Sequence, residues 1–391
     1  MSSVSKHILP VIVIAQFFCT SLWFAGNAIM PELAIKLDLA LADTSYMASS
    51  VQFGFIIGTL VYAILTIADR FHPSKVFFLS ALLGALCNAV MIAELSFTGV
   101  LLFRFFTGFF LAGIYPVGMK IAADYYKDGL GKALSFLVGA LVLGTAFPHF
   151  IASLDTSLDW KSVVVVTSFL AVIGGLLIVL LVKEGPYRKI GQKPKFKAMG
   201  SVFKDSEFRA AAFGYFGHMW ELYAFWAFVP VIIRNNGHLR FYENETISFQ
   251  SFLIIAMGSV ACFIGGYISE KFGTQRTAKL FLTLSGLCCI LSPFFFELDR
   301  IYFLGLMTFW GMVVIADSPL FSSLVANRAV PELKGTAITI VNSIGFAITI
   351  VSIQLVGYMI ENFDERLVLL PLAIGPSLGL FALRIPTSES S

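Results

Sequence analysis

The chain is poor in charge: Lys, Arg, Asp and Glu make up 13% of its 391 residues, against 58% hydrophobic residues. An ordinary soluble domain carries about 25% charged residues, so water does not surround most of this protein. Nucleic acid as a partner is excluded as well, because the formal net charge of +3 is too small and its carriers sit in short loops. The cysteines, Cys19, Cys87, Cys262, Cys288 and Cys289, lie inside apolar runs without the spacing of a zinc site or a redox motif. No His-Glu-x-x-His and no Gly-x-Ser-x-Gly is present, which removes the usual motifs of an intramembrane hydrolase. No stretch outside the apolar runs is long enough to form a soluble domain. These absences predict a protein that is no enzyme and carries no cofactor or metal.

What the chain has in abundance is apolar surface, with 40 Phe and 32 Gly and a mean hydropathy of +0.85. Bulky apolar side chains suit a lipid-facing surface, and small residues let helices approach closely. Runs long enough to cross about 30 Å of hydrocarbon fall near 8–30, 45–68, 75–95, 97–123, 131–153, 161–183, 208–233, 248–269, 277–296, 301–326, 335–360 and 366–384. The first follows Met1 to His7 with no small-residue cleavage site behind it, so it reads as a membrane span that also targets the chain. An even number of spans puts both termini on one side. Placing them in the cytoplasm assigns about twenty Lys and Arg to inner loops and helix ends. The outer set is then Lys36, Lys161, Arg234, Arg240, Arg300 and Arg366. The expectation is a multi-pass protein of the cell (inner) membrane, monomeric, with cytoplasmic termini.

The longest inner loop carries Arg188, Lys189, Lys193, Lys195, Lys197 and Lys204 and divides the spans six and six. The expected organisation is a bundle over 1–183, a linker over 184–207 and a bundle over 208–391. The halves repeat. Asp69-Arg70-Phe71 with Lys75 follows the second span, and Glu270-Lys271-Phe272 with Arg276 follows the eighth, matching in charge and order. Pro116 in the fourth span and Pro319 in the tenth correspond too. A repeated bundle of this kind is a transporter architecture.

Along essentially its whole length the chain resembles the major facilitator superfamily. Gly266, Glu270, Lys271, Gly273 and Arg276 are similar to that family's Gly-x-x-x-Asp-Arg-x-Gly-Arg loop signature, with Asp69, Arg70 and Lys75 a degraded copy in which Leu65 and His72 replace glycines. Arg104, Gly108 and Gly113 resemble its Arg-x-x-x-Gly pattern in the fourth helix. The phrases Ile114 to Lys120, Gly217 to Tyr223 and Ala316 to Pro319 resemble a bacterial branch loosely grouped with nitrate/nitrite porters. That branch's glycine-rich nitrate signature is missing from Gly139 to Pro148 and from Asn342 to Thr349. The Gly-Pro antiporter signature of drug exporters is incomplete, since Pro148 follows Phe147. The resemblance implies an all-α membrane fold of twelve helices in two pseudo-symmetric six-helix bundles, with helices one, four, seven and ten lining a central cavity.

A charged side chain at a helix centre costs about 2.5 to 3.5 kcal/mol on insertion scales, so such residues face a bundle interior or water. Arg104, about 10 Å into the fourth span, has a guanidinium fork suited to an anion. Glu221 is near the middle of the seventh span with His218 three residues before it, on one helix face. Asp317 lies in the tenth. An acid exposed alternately to two environments can load and release a proton, which predicts Glu221 as the main proton carrier, Asp317 second and His218 in support. Gln16, Asn27, Tyr115 and Trp220 are candidate substrate contacts, with Lys120 at the inner mouth. The resemblance also implies that Asp69, Arg70 and Asp124, with Glu270, Lys271 and Arg276, work as inner gates. Together these readings predict secondary transport of a small solute by alternating access, as proton symport of a small organic or inorganic anion, or as proton antiport exporting a drug-like or metabolic compound.

Overall fold

The computed structural model describes residues 7–93, 95–126, 130–154, 159–188, 203–236, 239, 243–330 and 333–384. Lys189, Lys193, Lys195 and Lys197 of the linker, and Arg240, fall outside them. The described residues are all-helical. Eleven helices are long and apolar enough to cross a membrane: Thr44–Ile64, Pro73–Ile92, Phe97–Tyr125, Leu130–Ala152, Lys161–Leu181, Ser206–Asn235, Asn244–Phe272, Thr274–Phe295, Arg300–Arg328, Lys334–Asn362 and Glu365–Ala382. The shorter apolar helix Ile8–Thr20 precedes them, so the run agrees with the twelve expected, numbered here in chain order.

The first, fourth and tenth spans are interrupted where the sequence reading drew continuous helices, and the last begins as the short turns Glu365–Leu367 and Leu370–Ala373 before the helix Ile374–Ala382. The first stops at Thr20 and resumes as Ala25–Ala28 and Met30–Leu37. The fourth divides into Phe97–Leu111 and Tyr115–Tyr125, the tenth into Arg300–Ala316 and Ser318–Arg328. Pro116 and Pro319 explain the last two, since proline has no N–H to donate and fits the first turn of a helix better than its interior. Pro31 likewise sits in the first turn of Met30–Leu37, but no proline marks the break between Thr20 and Ala25, so the cause of that break is tertiary.

The chain divides into two compact units, Met1–Gly191 with Tyr242–Ala256, and Gln192–Phe241 with Met257–Ser391. The eighth span, Asn244–Phe272, contributes residues to both units. In the first unit the second and fourth spans touch backbone to backbone. A Cβ on Gly54 would come within 1.9 Å of the Phe105 carbonyl oxygen, and one on Gly108 within 2.0 Å of that of Val51. In lipid, where apolar burial gives little drive to helix association, such close approach supplies the dispersion contact. In the second unit the seventh span is the most enclosed of the candidates.

The loop repeat has a matching structural repeat. The Ser74 hydroxyl donates to the Val182 carbonyl at 2.7 Å, and Gln275 Nε2 donates to that of Leu383 at 3.4 Å. Ser74 and Gln275 hold the same place in the two sequence copies, as do Val182 and Leu383. Each bond ties the start of one span to the last carbonyls of another, groups that a helix end leaves without partners.

Glycine packing predicts a contrast. Gly108→Ala should destabilise the purified protein by about 1–3 kcal/mol through overpacking, whereas Gly305→Ala, with nothing within 4 Å of the new methyl, should not lower the unfolding temperature. Thermal unfolding in detergent compares them; equal temperatures would mean that the second and fourth spans do not need this contact.

Candidate functional site

Arg104 is fully buried. Its Nη1 donates to the Leu22 carbonyl at 3.0 Å and to Asn88 Oδ1 at 3.1 Å, and its Nη2 donates to the Trp23 carbonyl. Leu22 and Trp23 lie in the interruption of the first span, so a charged donor in a low-dielectric interior holds the break open. Asn88 is held in turn, with its Nδ2 2.9 Å from Ser168 Oγ and 3.1 Å from Thr167 Oγ1. Gly26 gives the guanidinium room, since a Cβ there would stand 2.9 Å from Nε. Among the described residues no carboxylate pairs with Arg104. The two Nη atoms expected to meet a substrate are engaged by two backbone carbonyls and Asn88, Nε has no hydrogen-bond partner, and the charge has no counter-ion among the described residues.

The second unit holds the ionisable cluster. His218 Nδ1 stands 2.8 Å from Asp317 Oδ1, and both side chains are 1% exposed. The other imidazole nitrogen, Nε2, and the other carboxylate oxygen, Oδ2, have no hydrogen-bond partner. Asp317 reaches the imidazole because it occupies the junction between the two halves of the tenth span, directly before the Ser318–Arg328 helix. Tyr215 and Phe321 flank the imidazole, with ring centroids at 6.1 and 6.2 Å.

Glu221 lies apart from that pair in its bonding. Its Oε1 accepts from Trp310 Nε1 at 2.5 Å and its Oε2 from the Ser285 hydroxyl at 2.9 Å, tying the seventh span to the tenth and ninth. The shared helix face suggested His218 as the neighbour of Glu221. Tertiary contact instead gives His218 to Asp317, and supplies Glu221 with two donors that the sequence reading did not single out.

The remaining candidates separate in space. Gln16 is fully buried with neither amide atom partnered, and Asn27 Nδ2 is likewise buried without an acceptor. Tyr115 is half-buried at the start of the helix after the fourth-span break. The Trp220 indole donates to the Pro371 carbonyl at 3.2 Å, a packing contact with the last span. Lys120 is 2.8 Å from Asp69 Oδ1 and so belongs to the loop between the second and third spans.

That loop is anchored otherwise than expected. Arg188 donates to the carbonyls of Asp69 and Phe71 and pairs with Glu184, and Tyr187 N donates to the Asp124 carbonyl at 2.9 Å. Arg70 is exposed and forms no ion pair with Asp124; Lys120, four residues before Asp124 on the same helix, takes the loop acid instead. In the second copy Glu270, Lys271 and Arg276 are exposed. Arg328 works there, donating to the Glu207 carbonyl and to Gln275 Oε1. The two copies match in sequence and differ in bonding, because Lys120 has no basic counterpart among the residues Ser318–Arg328 until Arg328 at the helix end.

Comparison with known proteins agrees with this architecture. The family model of the Major Facilitator Superfamily matches residues 12–353. The chain belongs to that superfamily. Its members are membrane transporters that work by alternating access, and neither family nor fold is that of an enzyme. Among curated relatives, a bicyclomycin resistance protein homolog of Haemophilus influenzae is 22% identical over 354 residues, covering 84% of this chain and 83% of that protein. The niacin transporter NiaP of Acinetobacter baylyi is 21% identical over 358 residues, covering 77% of each. Among solved structures, a bacterial homolog of the human lysosomal transporter Spinster, inward-facing and occupied, superposes with a TM-score of 0.70 at 14% identity, covering 98% of this chain and 97% of that one. The unoccupied form gives 0.67.

The loop contacts predict that Asp69→Lys, which sets two cations against each other at Lys120, loosens residues 66–72 and raises labelling of a cysteine placed at Phe71. The double exchange Asp69→Lys with Lys120→Asp should restore protection, and Glu270→Lys should leave it unchanged. Equal labelling in all variants would remove the anchoring role.

Proposed function

We propose that this facilitator is driven by protons and that the His218–Asp317 pair is where the proton binds. The carrying observation is the 2.8 Å contact between two titratable side chains, both 1% exposed, with a free nitrogen and a free oxygen beside it. A buried charge pair is costly unless its remaining polar atoms are satisfied, so a pair left partly open is placed to exchange a proton rather than to brace helices. Imidazole titrates nearest to physiological pH among side chains, and the carboxylate can hold it as a cation or take the proton itself. Glu221, ranked first on its sequence position, moves to a supporting place because both its oxygens already accept from neutral donors. The termini and the linker are cytoplasmic in this reading, on the Lys and Arg asymmetry.

For the substrate, the favoured reading is symport of a small anion. Arg104 supports it through its charge, which no carboxylate among the described residues balances, and not through its occupied N–H groups. Gln16 and Asn27 offer neutral hydrogen-bonding groups in the first span. The opposite direction, proton antiport with export of a drug-like compound, draws support from the bicyclomycin resistance relative, while the niacin transporter relative suits uptake of a small carboxylate.

Liposomes containing the purified protein and supplied from outside with a panel of radiolabelled monocarboxylates, nicotinate among them, test the reading. One proton per monoanion is electroneutral, so each pH unit of gradient should sustain about a tenfold accumulation ratio. Asp317→Asn and His218→Gln should abolish accumulation while leaving exchange of labelled for unlabelled solute largely intact; Glu221→Gln should keep accumulation. If Asp317→Asn still accumulates solute with normal dependence on the gradient, the proton binds elsewhere. Accumulation that requires an outward proton gradient would replace symport by export.

A further inference from the structure

His218 has two aromatic rings beside it that the sequence reading did not connect with it, and the fold makes room for both. Phe321 is fully buried, with its ring 6.2 Å from the imidazole at an interplanar angle of 37°. Tyr215, one helical turn before His218, lies 6.1 Å away at 41°. Phe321 follows Asp317 by one turn of the same half-helix, its backbone N–H donating to the Asp317 carbonyl at 2.8 Å. The proline-bounded half-helix therefore delivers the carboxylate and the ring to the imidazole together. Gly214 admits the ring, because a Cβ there would stand 2.5 Å from Phe321 Cε1. Gly345 does the same for Tyr215, at 2.6 Å.

We propose that Phe321, with Tyr215 beside the same imidazole and Gly214 as its seat, is a positioning residue that sets the pH at which the His218–Asp317 pair takes up its proton. The inference rests on the proton site above. Aromatic faces carry negative charge density and attract a cation near the ring, so the clamp favours imidazolium over neutral imidazole. Exclusion of water by the rings acts the other way, penalising the charged pair, and an apolar replacement of similar volume keeps that exclusion. The attraction of the ring faces acts only when His218 is charged.

The other ionisable groups near this site are few. On the same helix Glu221 accepts from Trp310 and Ser285. The Cys262 thiol from the eighth span is 3.7 Å from the Ile315 carbonyl, two residues before Asp317. The tenth span otherwise carries Arg300 and Tyr302 at its start and Arg328, which holds Gln275, at its end. The eleventh span has Lys334, Tyr358 and Glu361 near its two ends, and the helix Ile374–Ala382 of the last span has none. Of these groups Asp317 is the one paired with His218, and Glu221 and Cys262 act on the pair only through space.

The test follows imidazole 15N signals of histidine-labelled protein in detergent through a pH titration. His218→Gln identifies the signal, one of those from five histidines. Phe321→Leu keeps apolar volume and removes the ring face, so the His218 midpoint should move towards acid by about half a pH unit. Gly214→Ala, whose methyl displaces the ring, should shift it the same way. Phe321→Tyr, which retains an aromatic face, should restore the wild-type midpoint. A His218 signal that titrates identically in wild type, Phe321→Leu and Gly214→Ala overturns the clamp and leaves the proton site standing. A His218 signal that never titrates overturns the clamp too, since the rings act on the imidazolium; the proton site itself falls only if Asp317→Asn keeps gradient-driven accumulation, so the two failures are distinct.

Discussion

The structure depends on one constraint: a polar group carried into hydrocarbon must find its partner within the protein, because no water is there to supply one. Arg104 meets it by donating to Leu22, Trp23 and Asn88, and the first span accordingly departs from a helix at those carbonyls. Glu221 meets it through Trp310 and Ser285. These two buried ionisable residues are thereby part of how spans hold one another. His218 and Asp317 meet it only in part, as do Gln16, Asn27 and the Nε of Arg104; what sets the pair apart is that two titratable groups are in contact, and that gives them their proposed work.

The interruptions of the first, fourth and tenth spans serve the same ends. A continuous tenth helix would leave Asp317 inside a hydrogen-bond ladder; the proline after it makes Asp317 a junction residue able to turn its side chain to His218. The loop copies show how a repeat diverges. Ser74 and Gln275 keep the equivalent bond to a span's last carbonyls, while the acid of the first loop is paired and that of the second is exposed. Duplicated sequence preserves the frame and leaves the charges on it free to differ.

Much of this was legible in the residues themselves. Apolar run length marked the spans, the acid-base-Phe repeat marked the two copies, and Arg104, His218, Glu221 and Asp317 stood out because ionisable groups are rare at such depth. Pairing was not legible. Three-residue spacing put His218 beside Glu221, but side chains on one helix face meet whatever the neighbouring helices bring, and there the tenth span brings Asp317. The partners of Arg104 were hidden for another reason: two are backbone carbonyls, which any residue provides. Lys120 looked like a mouth residue from its place near a helix end, yet the loop folds back to it with Asp69. Phe321 was one phenylalanine among 40, with no local pattern to single it out.

The central claim is that one buried pair, and not every buried acid, exchanges protons with the surroundings. Potentiometric counting of protons bound by the purified protein between pH 5 and 8 tests this without knowledge of the substrate. The account predicts that Asp317→Asn and His218→Gln each bind about one proton fewer than wild type over that interval, and that Glu221→Gln binds as many. A full proton lost in Glu221→Gln, with none lost in the other two, would contradict it.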